Sequence, residues 1–346
     1  MTIIFFLIIL CVIIFSHELG HFLVAKASKI KVNEFFIGMG PTLFSVTKGD
    51  TKYAIKLLPI GGACVFEGED EAVEENSSDA FNNASIWKRI AVVVAGPAFN
   101  FLLAYLLCII IISNTYSDKP VIQEVIPGFA AQEAGIQSGD VITHLDGERI
   151  YLSREINLIT MLKQGEPLEV RYRRGEETYE TVLVPKLDEE TGRYLLGFQG
   201  YSEYFKCSPL QVLQYSYYEV RFGLKSTIKG MQMVLRGEVG KDGVTGPVGM
   251  AVMVGDVAEQ AKPYGSWMVV INLMNLAMLL SVNLGVINLL PIPALDGGRL
   301  VFMLLELVRG KPIPPEKEGM VHFIGFALLM GLMVFVVYND IMRLLP

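Results

Sequence analysis

Four stretches of the chain are apolar for long enough to cross a bilayer, at about residues 3–25, 90–112, 267–290 and 321–338. A spanning helix needs ~20 such residues. The long segment between the second and third stretches, 113–266, has no span of its own. Its first part reads as a compact, partly β domain over residues 114–190. Short strand-like runs, VIQEVI and DVITHL, surround a small helical stretch with glycine-rich turns, and LEVRYRR, a Gly-Glu turn and TYETVLV follow as a hairpin. The remainder, 191–266, reads as a linker. Within it, residues 209–236 mix apolar and basic positions at helical spacing, which predicts an amphipathic helix on the membrane surface or packed on the domain. EGEDEAVEENSSD, at 67–79, predicts a solvated acidic loop.

Charge orients this pattern. Lys26, Lys29 and Lys31 follow the first span, Lys88 and Arg89 precede the second, and Arg299, Arg309 and Lys311 follow the third. By the positive-inside rule these groups face the cytoplasm, leaving both termini and 113–266 on the outer side. At 52% hydrophobic and 19% charged residues, the 346-residue chain is too apolar for an ordinary soluble domain and too charged for a bundle of spans alone. A net charge of -7, without a basic stripe, argues against nucleic acid as a partner. The four cysteines form no CxxC pair and no disulfide framework, and they read as small hydrophobes. The first span lacks the basic flank and small-residue site of a cleaved signal peptide.

One polar cluster interrupts the first span. HELGH, residues 17–21, follows IIFFLIILCVIIF. Residues four apart in a helix share a face, so His17 and His21 can each give an imidazole nitrogen to one metal ion. Glu18 lies within reach of a water on that metal, which is the H-E-x-x-H pattern of zinc hydrolases with glutamate as general base. Ionisable groups inside a span are rare and imply function. A catalytic zinc takes three protein ligands, so one more donor is required. The candidate is Asp296 in NLLPIPALDGGRL, where Pro291 and Pro293 must break the third helix near the depth of HELGH.

HELGH in the first span, GPAFN (Gly96–Asn100) in the second, PGFAAQEAGIQSGDVI in the insert and SVNLGVINLLPIPALDGGR after it occur in the order seen in the site-2 protease family. Nearly the whole chain resembles its bacterial RseP-like branch of intramembrane zinc metalloproteases, in a short form with a single PDZ-like domain. The resemblance implies a polytopic α-helical membrane protein with about four transmembrane helices, a membrane-associated β-hairpin loop and an inserted extracytoplasmic PDZ-like (α+β) domain. It implies Zn2+ held by His17, His21 and Asp296, with Glu18 activating water. Asn283 and Asn288 match family asparagines linked to substrate handling; hydrogen bonding between helices is the plainer role for either. TKYAIKLLPIGG (51–62), ending in Gly61 and Gly62, corresponds to a hairpin dipping toward the active site, whose edge can hold an unwound substrate. Implied partners are membrane lipid, peptide ends at the PDZ-like domain, and single-span membrane proteins such as a pre-cleaved anti-sigma factor or signal-peptide remnants. The implied location is the bacterial inner membrane, with the active site near its cytoplasmic side. A peptide-binding adaptor with a vestigial metal site is the weaker reading, because a structural site does not require Glu18. A metal transporter would leave the insert unexplained.

Overall fold

The computed structural model describes residues 1–68, 79–188, 192–199, 203–238 and 245–344; most of the predicted acidic loop lies outside them. The chain divides into two compact units, one of Met1–Leu107 with Gly223–Pro346 and one of Cys108–Phe222.

The first unit opens with helix α1 (Thr2–Ala27). From Ile3 to Phe15 it is apolar all round, and a helix satisfies its own backbone groups, as hydrocarbon demands. Its buried positions include Phe6, Ile9, Ile13, His17, Gly20 and His21, a stripe at helical spacing. HELGH therefore sits on the protein-facing side. Strands β1 (Val32–Lys48) and β2 (Thr51–Phe66) form a long hairpin. The turn uses Gly49 at a positive φ of 61°. Phe35 lies opposite both Cys64 and Tyr53, and Ile37 opposite Gly62. The base of the hairpin packs through Phe35 and Phe66 onto Ala25 and Val92, among others. Helix α2 (Ile86–Asn114) follows, with Pro97 inside it. A Cβ on Gly20 would lie 2.8 Å from the Ala95 carbonyl carbon and 2.9 Å from the Phe99 ring. The two backbones thus approach where only glycine permits it, as is common between membrane helices.

The second unit carries β3 (Ser117–Lys119), β4 (Glu124–Val125), α3 (Ala130–Glu133), β5 (Val141–Leu145), β6 (Glu148–Arg149), α4 (Ser153–Lys163), β7 (Leu168–Arg174) and β8 (Glu177–Leu183). Its main sheet has the order β6-β5-β7-β8, with Gly175-Glu176 making the β7–β8 turn as the sequence predicts. Ile142, Leu145, Ile156, Leu168, Val170 and Leu183 are central in its core. Strands β9 (Lys186–Asp188), β10 (Arg193–Leu195), β11 (Phe198–Gln199) and β12 (Glu203–Phe205) come next. β10 pairs with β9, β11 with β4 and β12 with β3. The unit therefore extends well past residue 190 into the predicted linker, because strands distant in sequence close on its first ones.

Helix α5 (Pro209–Leu235) spans most of the predicted amphipathic segment. The first unit then contains α6 (Pro247–Ala261), α7 (Ser266–Asn288), α8 (Asp296–Arg309) and α9 (Pro315–Leu344). α6 was not predicted. Val254 and Ala258 on it pack with Phe6 and Ile9 of α1 and Leu276 of α7. Asp340 of α9 accepts the Gly246 and Gly249 N–H groups at 3.1 and 2.8 Å, so a side chain far along the chain caps α6. Among the described residues, α1, α2, α7 and α9 are long and apolar enough to cross a membrane. α7 ends at Asn288, three residues before Pro291, and Asp296 begins the next helix.

Candidate metal centre

Two elements, α1 and α8, bring His17, His21 and Asp296 together. Their donor atoms lie within 4.8 Å of one another. Asp296 Oδ2 is 3.1 Å from His17 Nε2 and 3.4 Å from His21 Nε2, and the two imidazole Nε2 atoms are 3.2 Å apart. His21 Nδ1 donates to the Val92 carbonyl at 2.8 Å, which leaves a lone pair on Nε2 of the neutral ring. His17 Nδ1 is 3.1 Å from the amide of Asn100, which is fully buried. Among the described residues, Asp296 Oδ2 is buried without a hydrogen-bond partner. A buried carboxylate oxygen facing two imidazole nitrogens fits a divalent cation, since such a group left unpaired is costly. The donor set matches a catalytic zinc, with three protein ligands and room for a fourth.

Glycines set the spacing. A Cβ on Gly96 of α2 would stand 2.5 Å from His21 Cε1 and 2.8 Å from His17 Cε1. Gly96 and Asn100, one helical turn apart, thus address both rings: the first admits them and the second meets one. At the start of α8, a Cβ on Gly297 would reach within 2.5 Å of the Leu289 carbonyl carbon, and one on Gly298 within 2.5 Å of the Ile292 oxygen. The paired glycines let Asp296 start a helix folded tightly against the Pro291–Pro293 break.

Glu18 is half-buried beside His17 and His21 and accepts a hydrogen bond from the Cys64 backbone of β2. A Cβ on Gly62 would meet Glu18 Cγ at 3.1 Å. Gly61, at φ 85°, takes the strand past the site through a backbone conformation that L-residues adopt rarely. A cavity of about 1250 Å³ opens here, lined by His17, Glu18, Gly61, Gly62, Asn288 and Asp296 among others. Asn288 Nδ2 lies 3.5 Å from His17 Nε2. Asn283 is not brought to the cavity. Its Oδ1 accepts from Thr227 Oγ1 of α5 at 2.5 Å, the interhelical role. The facing α2 carbonyls are also engaged, Phe99 by Ser16 and Asn100 by Ser281. Asn100, Val92 and the Cys64 backbone carry no chemical signature in sequence; only the i, i+4 spacing of Gly96 and Asn100 within GPAFN could have flagged that face.

A putative zinc metalloprotease of Clostridium perfringens is 36% identical over 343 residues, covering 99% of this chain and 98% of that protein. The regulator of sigma-W protease RasP of Bacillus subtilis is 30% identical, covering 99% of each, in a 424-residue alignment longer than this chain. A PDZ domain of the SdrC-like protein of Listeria monocytogenes matches at 21% identity over 23% of this chain and 83% of that one, with a TM-score of 0.21. The family model of peptidase family M50 matches residues 5–332. The chain belongs to peptidase family M50 and is a zinc metalloprotease of the site-2 type, with four apolar helices among its described residues long enough to span a membrane.

Proposed function

We propose that the protein hydrolyses peptide bonds in or near the membrane-spanning segments of single-span membrane proteins, with zinc held by His17, His21 and Asp296 and with Glu18 as general base. The observation that carries this reading is the convergence of three donor atoms at 3.1–3.4 Å, with Glu18 beside them and a strand edge alongside. When bound, the zinc supplies Lewis acidity that polarises the scissile carbonyl and lowers the pKa of water. Glu18 takes a proton from the attacking water and delivers it to the leaving amine, and the Cys64 N–H keeps its carboxylate aimed. Asn100 Nδ2 lies 3.1 Å from His17 Nδ1; ligation by His17 Nε2 puts the proton on Nδ1, which the Asn100 amide accepts by turning its oxygen toward the ring.

A peptide bond inside a helix is shielded, so the substrate must be extended at the site. Residues 62–65 of β2 pair with β1 on one side, and among the described residues no strand pairs on the other. An unwound substrate adds there through backbone hydrogen bonds, which demand little of its sequence. Gly61 and Gly62 keep that edge close to Glu18, and Asn288 contacts the substrate near the zinc. The apolar, exposed Leu43, Phe44 and Leu57 seat the hairpin in lipid. The PDZ-like region selects or excludes substrates by their extracytoplasmic ends. The positive-inside pattern puts the zinc site near the cytoplasmic face, with both termini on the other. A relative named for regulating sigma-W supports a pre-cleaved anti-sigma factor as one substrate class, with signal-peptide remnants as another.

The test is reconstitution with a single-span model substrate, with and without chelator. Wild type should cleave, chelator should stop it, and Glu18→Gln should retain zinc while losing cleavage. Cleavage by Glu18→Gln at the wild-type rate would sink the mechanism.

A further inference from the structure

His322 is the one histidine near the cavity that the zinc site does not use, and it points at the strained part of that site. Ala294, two residues before Asp296, has a φ of 76°. A non-glycine residue in that region is held there by its surroundings. The Ala294 N–H donates to His322 Nδ1 at 2.9 Å, across from α7–α8 to α9. One turn on, Gly325 is buried against the same segment: a Cβ there would stand 2.6 Å from the Pro293 oxygen. The flanking prolines have no N–H, so this donor is one of few by which the Pro291–Leu295 segment can be anchored. The His322 ring is itself held. Its centroid is 5.5 Å from that of Phe302 on α8, and Nε2 lies 3.8 Å from Glu318 Oε1. Because Nδ1 accepts, the neutral ring carries its proton on Nε2, on the side of that carboxylate.

We infer that His322 is a positioning residue for the metal ligand Asp296, holding the left-handed Ala294 turn through the Ala294 N–H and so fixing where α8 begins. The inference rests on the reading of Asp296 as a zinc ligand. With the acceptor gone, Ala294 can relax toward ordinary backbone angles, and the carboxylate two residues on moves away from His17 and His21. Outer partners of metal ligands typically contribute 10–100-fold in metal affinity.

The experiment compares His322→Phe, which keeps a ring without an acceptor, with His322→Asn, whose amide oxygen reaches the position of Nδ1. Zinc affinity of the full-length protein in detergent is measured by chelator competition, both alone and in the Glu18→Gln background, with helical content checked by circular dichroism. His322→Phe should bind zinc at least tenfold more weakly, and His322→Asn should recover to within a few-fold of wild type. Wild-type affinity in His322→Phe, or an equal loss in His322→Asn, overturns the inference. If His322→Phe does not fold, His322→Gln, whose carbonyl reaches the other nitrogen's position, replaces it with the same two outcomes. Zinc loss in a protein that never cleaves would leave the positioning role standing and refute the protease mechanism; cleavage with unaltered zinc binding would do the reverse.

Discussion

Gly96→Ala should perturb the proposed metal centre without replacing a proposed ligand. The added methyl would stand 2.5 Å from His21 Cε1 and 2.8 Å from His17 Cε1, where ordinary contact begins near 3.4 Å. His21 Nε2 would lie nearer still, so the rings or α2 must move by about 1 Å. The rings have little freedom, since His21 is tied to the Val92 carbonyl at 2.8 Å and His17 lies 3.1 Å from the Asn100 amide. α2 cannot simply withdraw, because Val92 and Asn100 ride on it. Either response exceeds the ~0.2 Å tolerance of a metal–ligand distance. Zinc affinity should fall at least as far as for loss of an outer partner, about 10–100-fold. Overpacking should cost about 1–3 kcal/mol of stability. Chelator competition gives the first quantity, and thermal unfolding of the zinc-free protein the second. Gly230→Ala is the control: nothing lies within 4 Å of its Cβ, so helix propensity alone should stabilise α5 by about 1 kcal/mol. Wild-type zinc binding and cleavage in Gly96→Ala would refute the steric argument.

Three further outcomes follow from particular contacts. Asn288→Ala should lower cleavage of the model substrate with zinc retained, whereas Asn283→Ala should leave the rate near wild type and lower thermal stability by about 1 kcal/mol through the lost Thr227 bond. Asp340→Ala removes the acceptor for the Gly246 and Gly249 N–H groups and should cost about 0.5–2 kcal/mol, read as faster hydrogen exchange at the start of α6. In the second unit, burial pushes the Glu219 carboxyl from 4.5 up to about 7, against the pull of Arg154 at 2.8 Å and with help from Asp118 and Glu155. The folded unit then binds the proton more tightly than the unfolded chain, so its stability should fall as pH rises from 4.5 through 7, by about 3 kcal/mol. Hydrogen exchange at Ile142 and Val170 across that range should show the fall, and Glu219→Gln should flatten it; an equal slope in the variant would exclude Glu219 as its cause.

Much of this protein follows from sequence alone. Spans announce themselves because hydrocarbon forces each to satisfy its own backbone groups, so length and apolarity suffice. His17, Glu18 and His21 were legible because four residues make about one turn of a single helix. Asp296 was reachable because two prolines must break a helix and leave its end at a definite depth. Which faces meet was not legible. In lipid, protein-facing and lipid-facing positions are both apolar, so α1 gives little pattern to say what lies against it. Only packing brings Gly96 and Asn100 onto the imidazoles, 83 residues separating Asn100 from His17. Packing also lays β2 beside Glu18, turns Asn283 toward Thr227 and sets His322 of α9 against the Ala294 turn. HELGH is a local fact of one helix; the place where Asp296, the Asn100 amide and a strand edge meet it is a property of the assembled helices, because every one of those contacts joins separate elements.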